Sequence, residues 1–167
     1  MIALLGLCPI RLKNFSALAL GTSIRKFENS WWIILSAPEA KARRPDEREV
    51  PGMLTPYLDH YVQVVRLILH RRSNALWIGM YGEAMSYSAV ESAITKSTKA
   101  ALGVAVSPHL FRSSAASSAY RHASQSPHLA SALLQHTHPK TTQEHYNKAQ
   151  SAGYAMAFSD LITQRKV

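Results

Sequence analysis

The sequence predicts a mainly α domain with a small antiparallel β-sheet near the N-terminus. Apolar residues recur at helical spacing through Leu54, Leu58, Tyr61, Val65 and Ile68. Capping signals bracket further helices, with Ser86 or Ser88 ahead of one, Gly103 behind it, and prolines at 108 and 127 opening two more. Between Ala19 and Ser36 the pattern changes to turn residues and an aromatic, β-branched run, Trp31 to Leu35.

Taken in order, Met1 to Ile10 is an apolar run about half the ~20 residues that a membrane span requires. It reads as the end of a buried helix, terminated at Pro9. On that reading the domain begins inside its early helices and leaves apolar core surface partly uncovered. No basic segment precedes the run, so it is a poor signal peptide. Ile10 to Leu18 forms a short amphipathic helix with Arg11, Lys13 and Asn14 off its apolar face. Ala19 to Ser36 is a β-hairpin punctuated by Gly21 and Glu28-Asn29-Ser30. Pro38 to Glu49 is a charged loop, and Arg48 to Pro51 adds a third short strand. Long helices follow at Met53–His70 and Ser86–Leu102, with an extended segment at Ala75–Ile78 between them. Pro108 opens a helix to about His122, and Ser126-Pro127 opens another ending near Gln135. Thr141–Ala149 and Tyr154–Thr163 complete the helices. No internal repeat or low-complexity tract interrupts residues 1–167, which read as a single domain.

A 47% hydrophobic content argues for a folded globule over a disordered tail. The 19 Lys and Arg against 10 Asp and Glu give a net charge of +9, for which a polyanion such as nucleic acid is the simplest partner. A lone cysteine, Cys8, excludes an intramolecular disulfide and a Cys-based zinc site, and reads as a small buried apolar residue in a reducing cytoplasm.

Chemistry concentrates between His109 and Tyr146. In SPHLFRSS, His109 and Arg112 stand at i and i+3, on one helical face. LLQHTHPKTTQEHYNKA then brings His136 and, ten positions on, Tyr146. A His and an Arg on one face, a further His and a hydroxyl nucleophile suit attack on a phosphodiester, which needs charge stabilisation on the equatorial oxygens and proton handling at the attacking and leaving oxygens. Tyr146 has His136, His138, His145 and Lys148 near it in sequence, and a phenol of pKa near ~10 needs such a setting to attack at neutral pH. The same histidines do not read as a metal site: His136 and His138 are at i,i+2, a strand spacing, and Glu144 stands alone.

The order and spacing of these residues resemble the tyrosine recombinase, or phage integrase, family. The N-terminal half is similar too. LLGLCPIRLKNFSAL resembles the family phrase in which a first arginine follows a buried helix, making Arg11 its counterpart. WWIILSAPEAKARRPDEREVP resembles the segment that carries a β-turn lysine, matched by Lys41 with Arg43 and Arg44 close by.

The resemblance implies the catalytic-domain fold of that family, the DNA breaking-rejoining type, and a six-residue site. Arg11 and Arg112 would clamp the non-bridging oxygens of the scissile phosphate, a task the planar guanidinium fork suits. Lys41 would protonate the leaving 5′ oxygen, His109 would share proton transfer with the tyrosine, His136 would hydrogen-bond the phosphate, and Tyr146 would form a 3′-phosphotyrosyl link. No metal or other cofactor is required, because the covalent bond conserves the phosphodiester energy. Double-stranded DNA is the implied partner, with copies of the chain self-associating on it and no membrane. Three departures stand out: Ser113 where a His often follows the second arginine, Gln135 where LGH is usual, and no amino-terminal DNA-clamping domain ahead of Met1. They leave a catalytically inactive DNA-binding remnant, and more distantly a basic helical adaptor, as alternatives.

Overall fold

The computed structural model describes residues 1–38, 45–69 and 72–122. Contacts divide the chain after Arg112, and of the second unit, Ser113–Val167, only the run to His122 is described. The helices expected around Ser126-Pro127, Thr141–Ala149 and Tyr154–Thr163 lie outside the described residues.

Helix α1 (Ile2–Leu7) buries Leu4 and Leu5 and ends at Cys8, whose backbone (φ −120°, ψ 76°) has left the helical region ahead of Pro9. Pro9 has no N–H to continue the helix. The chain then runs extended through Arg11 (φ −64°, ψ 142°) into the short helix α2 (Leu12–Ser16), which buries Phe15. Cys8 is buried at 3% exposure, and loss of water pushes its thiol up to about 11, so it is an inert core residue as expected.

Strands β1 (Ile24–Phe27), β2 (Ser30–Leu35) and β3 (Asp46–Glu49) form an antiparallel sheet with β2 in the centre. Ile24 pairs with Ile33, and Arg48 with Ile33 on its other side. The turn between β1 and β2 needs a left-handed residue, supplied by Glu28 at φ 51°. Strand β2 alternates, with Trp31, Ile33 and Leu35 buried and Ser30, Trp32 and Ile34 half-buried, so one face of the sheet closes the core. The third strand begins two residues earlier than the sequence predicts. Asp46 and Arg48 share one strand face and bind each other, which extends pairing into what reads as a polar loop.

The predicted helix Met53–His70 is real but not uniform. A 3-10 turn (Gly52–Leu54) leads into α3 (Thr55–His60), then a π turn (Tyr61–Val65), then α4 (Arg66–Ile68). The wider π turn shifts the inward face by about one residue relative to a 3.6-residue period. Leu54 and Leu58 are buried as expected, but Ile68 is 69% exposed and Arg66 takes the core-facing position at 1%. A buried charge needs hydrogen-bond partners, which the two terminal nitrogens of Arg66 have and its buried Nε, among the described residues, does not. The Arg66 guanidinium donates to the carbonyls of Ser73 (2.7 Å), Leu76 (2.8 Å) and Ala75, tethering the 73–78 segment. That segment is pinned further by Tyr61 Oη donating to Leu76 O at 2.9 Å and by Trp77 Nε1 donating to Phe15 O at 2.8 Å. Ala19 bridges Ala75 and Ile78 bridges Ala84, but Leu76 and Trp77 between them are bends, so the segment expected to be extended is two isolated bridges rather than a strand.

Helix α5 (Tyr87–Leu102) starts where the Ser86 hydroxyl accepts from Ala89 N–H and stops at Gly103, whose φ of 73° is left-handed. It buries Val90, Ile94 and Thr98 and packs against α2. Helix α6 (Pro108–His122) opens at Pro108 as predicted. Among the described residues no helix is long and apolar enough to cross a membrane.

Candidate active site

Local structure delivers two distant arginines to one place. Pro9 ends α1 and forces the extended step that ends at Arg11, just ahead of α2. Pro108 opens α6 and so puts His109 and Arg112 on its first turns, three residues apart and on one face. Arg11, His109 and Arg112 all line a single cleft of about 350 Å³, together with Lys13, Tyr87 and Glu91. A direct contact ties the two approaches together: the Arg112 guanidinium donates from Nη1 to the carbonyl of Pro9, two residues before Arg11. Phe111, next to Arg112, lies against Gly6 of α1.

The cleft is strongly electropositive. Burial pulls Arg112 down to about 10, and repulsion from Arg11 and then Arg48 adds to the effect, with Asp46 opposing it. Arg11 is lowered in the same direction by burial, again against the pull of Asp46. Both guanidiniums remain charged at neutral pH, so the folded chain holds like charges close together. Asp46, 8% exposed, partly offsets them while accepting a fork from Arg48 at 2.7 and 2.8 Å. Such a site favours an anion that can take hydrogen bonds from two planar forks.

Phosphate should therefore stabilise the fold more than chloride does at equal ionic strength. With phosphate at tenfold its Kd the gain is about 1.4 kcal/mol. Thermal unfolding measures it, and an Arg11→Ala chain should lose most of the difference. Equal unfolding temperatures in the two salts would contradict an anion site here.

Of the six residues singled out in the sequence, the structure brings together Arg11, His109 and Arg112. Lys41, in the connection between β2 and β3, His136 and Tyr146 lie outside the described residues. Sequence reasoning did not single out Asp46, Arg48, Tyr87 or Glu91. The signal for the first two was present, since opposite charges at i,i+2 in a strand face the same side. Tyr87 and Glu91 are one helical turn apart on α5, but only the packing of α5 against α2 shows that they border the arginines. A larger groove of about 620 Å³, lined by Met1, Leu4, Met53, Tyr57, Trp77 and Met85 among others, is mostly apolar and is lined by none of the six residues singled out in the sequence.

The sequence pattern of the phage integrase family matches residues 1–152. The chain belongs to the phage integrase family. Solved structures with the same fold are recombinases. XerA recombinase superposes with a TM-score of 0.66 at 19% identity, over 92% of this chain and 54% of that one. XerH site-specific recombinase, in a post-cleavage complex with palindromic difH substrate, gives 0.72 at 13% identity over 93% and 43%. Its pre-cleavage complex with difH substrate gives 0.69 at 14% over 91% and 43%. The phage integrase chain described here thus spans about half the length of these recombinases. No curated protein matches it. The match confirms the predicted fold: a mainly α catalytic domain with a small three-stranded antiparallel sheet.

Proposed function

We propose that this chain carries the strand-cleaving centre of a site-specific DNA recombinase, working through a 3′-phosphotyrosyl intermediate. The observation that supports the reading most is the cleft in which Arg11 and Arg112 meet beside His109. Two arginine forks and an imidazole are what a pentacoordinate phosphate requires: donors to its non-bridging oxygens and a group that handles protons. In this reading the Tyr146 phenolic oxygen attacks phosphorus and gives up its proton with help from His109. The P–O bond to the 5′ oxygen breaks as the new P–O bond to tyrosine forms. Lys41 supplies a proton to that leaving oxygen, and His136 adds a hydrogen bond to the phosphate. Reversal of the same steps by a new 5′ hydroxyl rejoins the strand, so no metal or nucleotide is consumed.

Double-stranded DNA is the substrate proposed, in keeping with the net charge of +9 and with XerH having been solved bound to difH substrate. A palindrome presents the same half-site twice, which suits two copies of a recombinase on one duplex, and self-association of this chain on DNA is part of the proposal.

The test is covalent trapping. A pool of nicked duplexes, in which cleavage close to the nick releases a short strand by diffusion, should give a protein–DNA adduct that survives denaturant. Salt-dependent duplex binding with no adduct on any member of the pool would leave a DNA-binding protein and exclude the cleaving one.

A further inference from the structure

Thr98 belongs to the buried face of α5, at 1% exposure, in the stripe Val90, Ile94, Thr98. Packing alone does not call for threonine there, since valine has the same branched shape. Its hydroxyl, however, is fully engaged. Oγ1 accepts from the Val106 N–H at 3.0 Å, and its proton faces the carbonyls of Ile94 and Thr95, each at 3.0 Å.

Val106 sits in the link 103–107 that joins α5 to α6. Gly103 still belongs to the end of α5, donating to Lys99 O at 2.9 Å. Val104 and Ala105 are exposed, so Val106 is where the link is tied to the core. Two residues later Pro108 fixes its own φ and starts α6. His109 and Arg112 follow within that helix's first turns, both on the cleft. The place of one backbone N–H therefore sets the origin from which α6 departs, and with it the seating of both side chains opposite Arg11.

The geometry points to Thr98 as a positioning residue for His109 and Arg112, a role whose catalytic consequence rests on the strand-cleavage reading above. Thr98 touches no substrate. It acts by holding the link, and a displacement of about 1 Å at a reacting centre costs up to about 10²-fold in rate.

Three chains test this: Thr98→Val, which keeps the shape and loses the hydroxyl; Thr98→Ser, which keeps the hydroxyl; and Ile24→Val, a core truncation in β1 as a stability control. At saturating nicked duplex, Thr98→Val should form adduct at least about tenfold more slowly, while its Kd for duplex stays within about threefold. Thr98→Ser should recover the rate, and Ile24→Val should not lose it. Independently of catalysis, the His109 ring signals in NMR should move in Thr98→Val and return in Thr98→Ser. If the unaltered chain makes no adduct, strand cleavage fails as a function, and the His109 signals alone judge Thr98. If Thr98→Val does not fold, hydrogen exchange in the unaltered chain decides: the Val106 amide should be protected like those in the middle of α5. An unmoved His109, a slowing matched by Ile24→Val, no rescue by serine, or an unprotected Val106 amide would each overturn the role.

Discussion

Replacing Tyr146 by phenylalanine should abolish covalent attachment to DNA and leave duplex binding within about twofold. Phenylalanine keeps the ring and removes only the oxygen proposed to attack. Duplex affinity comes mainly from cations that displace counterions along the phosphates. The chain's 19 lysines and arginines are untouched by the change, so the salt dependence of binding should keep its slope. Denaturing electrophoresis for the adduct and a salt titration for binding check the two halves separately. His145→Ala is the matching control: adjacent residues of a helix project in different directions, so its effect on the adduct should be mild.

The second large effect belongs to Arg112. Arg112→Ala should slow adduct formation by about 10²–10³, the usual cost of losing one donor to a developing charge. Arg112→Lys should recover little of it, because an ammonium offers a point charge where the site holds a planar fork. The structure adds a reason for the poor rescue. The Arg112 side chain is also seated by its bond to the Pro9 carbonyl, which links it to the segment bearing Arg11. Lysine would lose both that seat and the second donor edge. Single-turnover rates at saturating nicked duplex measure the effect. A lysine variant that cleaves at the full rate would mean that charge alone suffices.

How much of this was legible in the sequence depends on how local the cause is. Ser86, Gly103 and Pro108 act on their own neighbours, and the bounds of α5 and the start of α6 follow from them almost residue by residue. His109 and Arg112 share a face for the same reason. The convergence of Arg11 on them was expected from the family resemblance, not from spacing, since a cleft between α2 and α6 is a tertiary fact. The π turn at Tyr61–Val65 left no trace in the apolar stripe, because the stripe assumes the very period that the turn breaks. Arg66 was missed for that reason: at a 3.6-residue period it reads as a solvated cation. Asp46 was passed over as one charge in a charged loop, whereas its worth lies in facing three arginines at once. Thr98 carries no signal of its own in mid-helix, because its partner Val106 is settled only by the path of the link.

Digestion of the trapped adduct followed by mass spectrometry, with end-labelling of the released strand, identifies the attachment site and the chemistry of both ends. A nucleotide should be joined through its 3′ phosphate to Tyr146, the released strand should carry a free 5′ hydroxyl, and the modified peptide should be lost in Arg11→Ala and Arg112→Ala chains. A modification on any other residue, a 5′-phosphate linkage, or an adduct that persists without the two arginines would contradict the proposed mechanism.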